Sequence, residues 1–163
     1  VSDRRATALF LLVALGVFGG LVASSRAKKS PPPVARPSWQ VVVDTLPERQ
    51  RAFHDQLRAR IPELEAARSR DKAWPESPGF TRTQQANVVN YVGEGAGQRW
   101  LLLVLEPDPR VGPEPAPPDD DEHDTLGDGT LLHVTLWTQP VSEPAPEHVT
   151  AFPAAEGWKQ VVW

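Results

Sequence analysis

The chain contains no cysteine and no methionine. Without thiols it can build no disulfide framework, no thiolate zinc site and no iron–sulfur cluster, and it has no cysteine nucleophile. Covalent c-type haem attachment is excluded with them. An excess of positive charge is also missing. Lys and Arg number 17 against 21 Asp and Glu, a net charge of −4, which argues against a nucleic-acid partner. The motifs of common catalysts are missing too: there is no G-x-S-x-G elbow, no H-E-x-x-H zinc helix and no phosphate-binding loop. At 163 residues the length suits one modest domain and an appendage.

The charge is unevenly spread. Residues 1–82 carry a balance of +6 and residues 83–163 one of −10. Such asymmetry implies that the two halves face different surroundings. The basic half opens with 20 consecutive uncharged residues, Ala6 to Ser25, flanked by Arg5 and Arg26. At about 1.5 Å per residue this run reaches about 30 Å, the thickness of a bilayer's hydrocarbon core. It exceeds the usual apolar stretch of a cleaved signal peptide, although Ala23-Ser24-Ser25 and Ser25-Arg26-Ala27 resemble cleavage sites. A single N-terminal transmembrane helix is therefore expected, with residues 1–29 as the anchor. Counting basic residues puts the C-terminal side in the cytoplasm, since four follow the span and two precede it. The layout of a short basic start, a long apolar run, a stalk and an acidic domain is that of an uncleaved secretory signal. On that layout the domain is expected to be periplasmic, on a bacterial inner membrane. Low Lys with high Arg, Ala and Pro usage points to a high-GC bacterial genome. Gly16 and Gly20 form a G-x-x-x-G pair that lets a second membrane helix approach closely.

Residues 30–37 (SPPPVARP) hold four prolines and favour extended polyproline II, a spacer of about 25 Å. Residues 38–163 form the expected folded domain. WQVVVD (39–44) reads as a short strand. Thr45 and Glu48 have capping-box spacing, with Pro47 in the first turn. Phe53, Leu57, Ile61 and Leu64 then make one apolar helical stripe, which Pro62 should kink or split. The period changes afterwards. QANVVNYV (85–92) alternates, WLLLVL (100–105) is continuously apolar, and Gly93 to Gly97 separates them as a glycine-rich reversal. LLHVTLW (131–137) and KQVVW (159–163) are two further strands, the former beside WLLLVL. The fold class expected is α+β, a small antiparallel sheet with one packed helix. Its second face is left solvated or covered by a partner. Of the six tryptophans, most are expected in the core or at its rim, and one or two exposed ones would mark an interface.

Residues 107–129 form a 23-residue connection with six prolines and the run Asp119-Asp120-Asp121-Glu122-His123-Asp124. A loop of that length is functional or disordered. Carboxylates beside an imidazole can bind Ca²⁺ weakly, or Zn²⁺ through the histidine. Asp119, Asp121, Glu122, His123 and His133 are thus the candidate metal ligands, against a plain reading as a solvated acidic tip. The calcium-loop motif itself is not met. His54-Asp55 resembles half of a catalytic dyad, but helix neighbours project about 100° apart, so a surface pair is expected. Gly93 to Gly97 joins strand to strand and is no dinucleotide fingerprint. No cofactor is expected beyond the chance of a divalent metal. The parts therefore favour placement over chemistry. The chain reads as a non-catalytic, membrane-anchored accessory subunit of a larger complex, with the bilayer and other membrane subunits as partners. The alternative is a membrane-tethered, extracytoplasmic metal-binding or metal-handling domain.

Overall fold

The computed structural model describes residues 36–108, 110, 123–126 and 129–163. The expected membrane span with Gly16 and Gly20, residues 30–35 of the linker, and Asp119, Asp121 and Glu122 lie outside the described residues. Among the described residues no helix is long and apolar enough to cross a membrane.

One compact unit runs from Pro37 to Trp163. Strand β1 (Gln40–Val42) passes through a 3-10 turn (Val43–Thr45) into α1 (Glu48–Asp71). The expected capping box does not form. Thr45 is taken up by the 3-10 turn, where its hydroxyl donates to Val42 O at 2.7 Å. Pro47 becomes the N-cap, and its carbonyl accepts the Gln50 and Arg51 N–H groups. Pro62 does not divide the helix, which continues as one element of 24 residues. Leu57 and Ile61 before it and Leu64 after it pack into the same core, so side-chain burial on both sides holds the helix across the missing N–H. Arg68 and Arg70 sit in the last turn, where cations suit the helix dipole, and Lys72 closes the helix at φ 57°.

The α+β class holds, with one α-helix among the described residues, but the sheet is mixed. Strands β2 (Phe80–Gln85), β3 (Val88–Gly95), β4 (Gln98–Leu105), β6 (Leu131–Pro140) and β7 (Lys159–Val162) join β1 in the order β1-β7-β6-β4-β3-β2. A short β5 (His123–Thr125) also pairs with β6. All neighbours are antiparallel except β1 and β7, where Gln40 lies beside Gln160 and Val42 beside Val162. A parallel pair needs a long crossover, and here the helix and the rest of the sheet lie between the two strands in sequence. The expected strand at 85–92 is in fact two. The chain turns at Ala86 and Asn87, and the polar segment FTRTQQ before it forms the edge strand β2.

β4 lies between β3 and β6 and is buried from Arg99 to Val104, as its unbroken apolar run predicts. Its alternate residues serve two cores. Trp100, Leu102 and Val104 face α1 together with Val89, Tyr91, Leu132, Val134 and Leu136. Leu101 and Leu103 join Trp137 and Trp158 on the opposite side. The glycine-rich stretch also divides by role. Ala96 (φ 51°) and Gly97 (φ 75°) make the β3–β4 turn. Gly93 and Gly95 lie within β3 and leave space for the rings of Phe80 and Phe53, which a Cβ at either position would meet.

Candidate functional site

The second face of the sheet is closed by the chain itself rather than left to solvent. Residues 141–158 cross it as a strap that contains only one short 3-10 turn, Pro153–Glu156. Three anchors hold this strap. At its start, buried Arg99 donates to the Glu143 and Val141 carbonyls while pairing with Glu94 at 3.1 Å, and Gln139 Nε2 donates to Pro144 O at 3.3 Å. In the middle, fully buried Asn90 binds Thr150 twice: Asn90 Nδ2 donates to Thr150 O at 3.0 Å, and Thr150 N donates to Asn90 Oδ1 at 2.6 Å. At the end, Trp158 enters the small core with Leu101, Leu103 and Trp137. Glu156 fastens the strap to itself through the Thr150 hydroxyl at 3.0 Å and His148 Nε2 at 3.3 Å. Two residues beyond Thr150, Phe152 stands 78 % exposed. It thus follows closely on the buried Asn90–Thr150 bonds, its carbonyl accepts the Ala155 N–H at 3.0 Å, and its ring faces solvent.

Of the six tryptophans, 74, 100, 137 and 158 are buried. Trp39 stacks on Trp137 with 5.9 Å between ring centroids, at the rim. Trp163 is 56 % exposed and lies under the Arg58 guanidinium, 5.3 Å from its ring centroid. No periodicity singled out Phe152 or Asn90. The available signal was weak: an aromatic followed by proline in a segment with no strand or helix pattern.

His54 is not the surface residue expected. It is 2 % exposed, on the buried stripe of α1 between Trp100 and an edge-on Trp163. It also meets its sequence neighbour after all, with Nδ1 3.1 Å from Asp55 Oδ1. Asp55 remains exposed, so its carboxylate folds back over the rim to reach the ring. Burial pushes the His54 imidazole below its usual 6.5 with help from Arg58, and the Asp55 bond and charge only partly oppose this. Unfolded, the ring titrates at about 6.5; folded, it accepts its proton only at lower pH. The unfolded chain therefore binds more protons just below 6.5. This contribution to stability is complete above that pH and falls away as pH drops through it. Thermal midpoints measured from neutral pH down to about pH 5 should decline less steeply in His54→Gln than in the unmodified chain. Equal slopes would remove His54 as a source of the acid sensitivity.

Two further polar clusters are structural. Glu106 Oε1 accepts from Arg68 Nε at 2.7 Å and from Trp74 Nε1 at 3.1 Å, tying the end of α1 to the end of β4. A cleft of about 320 Å³ lies beside it, lined by Ala86, Asn87, Glu106, Pro107, Asp108 and Arg110. Its carboxylates already have internal partners, since Asp108 Oδ1 accepts the Arg110 N–H at 2.9 Å. Buried Tyr91 donates its hydroxyl to Pro75 O at 2.8 Å, and burial raises its pKa to about 12.

Of the candidate metal ligands, the described backbone brings two together. His123 in β5 and His133 in β6 are direct Cα partners. Among the described residues no group of three or more metal-ligating side chains converges. Comparison with known proteins finds no matching family model, no matching curated protein and no matching solved structure.

Proposed function

We propose that the chain is a membrane-anchored, non-catalytic accessory subunit of a larger bacterial inner-membrane complex, its folded domain on the extracytoplasmic side. The apolar run of residues 6–25, with Gly16 and Gly20 at G-x-x-x-G spacing, supports the anchor. The observation that carries the interaction role is Phe152, an exposed aromatic on a strap whose backbone is already immobilised by Asn90. Ordering a contact loop beforehand lowers the cost of association, and aromatic anchors dominate interface energetics. His54 is packed in the core, and Glu106 and Glu156 hydrogen-bond within the fold, which supports placement over catalysis. A metal-handling role is the second reading, favoured by the His123–His133 register.

The test is the mass of the assembly extracted from native membranes in mild detergent after crosslinking. The unmodified chain should run in a complex heavier than its monomer. Phe152→Asp should weaken that complex roughly 30-fold, the equivalent of about 2 kcal/mol for an aromatic anchor, with an unchanged thermal midpoint. A monomeric unmodified chain, or a complex indifferent to Phe152→Asp, would overturn the proposal.

A further inference from the structure

We propose that β2 is a self-association edge, at which two copies of this chain pair their β2 strands antiparallel across a twofold axis at Thr83. This goes beyond the accessory-subunit reading and stands independently of it. The direction of the backbone groups carries the argument. β2 and β3 are joined by the two-residue turn Ala86-Asn87, so Gln85 and Val88 beside the turn exchange both hydrogen bonds. Alternation then directs the N–H and C=O of Thr83 and Thr81 to Asn90 and Val92. Those of Arg82 and Gln84 point away from the sheet. The N–H of Phe80, on the same side, turns back to Ser77 O at 3.0 Å. Among the described residues no strand lies beyond β2 to receive the others.

Nothing in β2 blunts this edge. It has no proline and no lysine, and its six residues pair with β3 without a bulge. The opposite edge, β1, is only three residues long. Arg82 carries the one charge of β2 and is already paired with Glu76 at 2.9 Å. Thr81, Thr83, Gln84 and Gln85 are exposed, so the edge offers hydrogen bonds rather than an apolar groove. A polar strand is the partner that suits it, and the register selects β2 of a second copy. Only residues whose backbone groups point outward can exchange bonds with one another. With Thr83 opposite itself, Arg82 stands opposite Gln84 of the second copy and both exchange their outward bonds, while Thr81 stands opposite Gln85. The Arg82 and Gln84 side chains are compatible neighbours, since within one chain Arg82 Nη1 donates to Gln84 Oε1 at 3.5 Å. Threonine pairs across strands are favourable, and like charges directly opposite are not. A shift of two residues one way would set Arg82 against Arg82. A shift the other way would set Arg82 against Ala86 in the turn.

The test is disulfide trapping. The chain has no cysteine, so a single introduced thiol reports one position. Thr83→Cys, Thr81→Cys and Gln85→Cys are each oxidised as the purified full chain in mild detergent, and the cross-linked dimer is measured on a non-reducing gel. A residue opposite itself in a non-hydrogen-bonded pair has Cα atoms about 4.5 Å apart, within reach of a disulfide. Residues 81 and 85 would each lie about 13 Å from their own copies. Thr83→Cys should therefore cross-link about 10-fold faster than either. Adding Gln84→Pro removes an outward N–H and leaves the bonds to β3 in place. It should slow the Thr83→Cys cross-link about 10-fold, with an unchanged thermal midpoint as the check on folding. Should that variant fail to fold, the three single-cysteine rates decide. Equal rates at the three positions, or no dimer at millimolar chain, overturn the proposal. So does a Thr83→Cys cross-link that a folded Gln84→Pro variant forms equally fast, since the backbone edge would then not be the contact. No other protein is present, so this result is separate from the assembly test at Phe152.

Discussion

Gly95→Val should destabilise the domain by at least about 3 kcal/mol, the upper end of the usual cost of overpacking a core. A Cβ on Gly95 would overlap the Phe53 ring from α1. That ring cannot simply turn aside, because it rests against Trp100 with 5.5 Å between centroids. Trp100 is itself fully buried and donates its Nε1 proton to Gly95 O at 3.0 Å. Relief therefore requires moving the helix away from the sheet along its whole stripe. Against a typical net stability of 5–15 kcal/mol, a loss of this size is a large fraction. Urea unfolding followed by tryptophan fluorescence measures it. The coupling is specific: Phe53→Ala makes room, so the double variant Phe53→Ala/Gly95→Ala should lose less than the sum of its single variants. An unchanged urea midpoint in Gly95→Val would show that α1 does not approach β3 as closely as described.

Asn90→Ala should release the strap. The substitution leaves the Thr150 N–H and C=O buried without partners, each costing about 1–3 kcal/mol. Neither group has water at hand, as Asn90 and Thr150 are both fully buried. The expected loss of about 2–6 kcal/mol need not fall on the whole domain. Strap residues 141–158 contribute one short helical turn and otherwise no regular hydrogen bonding, so they can open locally while β3, β4 and β6 remain paired. Hydrogen exchange should accelerate in peptides covering 146–158 and stay slow in those covering 98–105. Uniform acceleration across both regions would mean that Asn90 supports the sheet rather than the strap. The same variant should lose assembly as Phe152→Asp does, because Phe152 would still be present but no longer held in place.

The elements that could be read from the sequence are those whose burial pattern is strong within a single segment. The stripe of Phe53, Leu57, Ile61 and Leu64 and the run WLLLVL each announce their surroundings, and both stand where expected. β2 carried no such signal. As an edge strand it meets one neighbour and buries little, so Thr81 to Gln85 are polar on both faces. The parallel β1–β7 pair joins residues 120 positions apart, and no local period encodes a partner at that distance. His54 was misjudged because its type and its neighbour Asp55 suggested a surface pair. Its position one residue after Phe53 and three before Leu57 already placed it on the buried stripe. Of the candidate metal ligands, residue type pointed to His123 and His133, while their direct opposition depends on where β5 joins β6. The strap was legible only as a proline-rich interval. Its anchors are single buried polar residues, Asn90 and Arg99, which in a sequence look like any other polar residue on an alternating strand.

The placement of β7 between β1 and β6 has a consequence for biogenesis. β1 touches the sheet through β7, with the Gln160 N–H donating to Trp39 O at 2.8 Å and Gln40 Nε2 reaching Gln160 Oε1 at 3.2 Å. During synthesis the segment nearest the N-terminal appendage must therefore wait, unpaired, until residues 159–162 have left the ribosome. The antiparallel pairings among β2, β3, β4, β5 and β6 can form earlier, and β6–β7 forms at smaller sequence separation, which makes closure of the parallel β1–β7 pair the natural last step. A chain that stops short of β7 would leave β1 without its strand partner. The β1–β7 seam thus ties the N-terminal edge of the sheet to residues 160–162, so that edge is secured only once they are present.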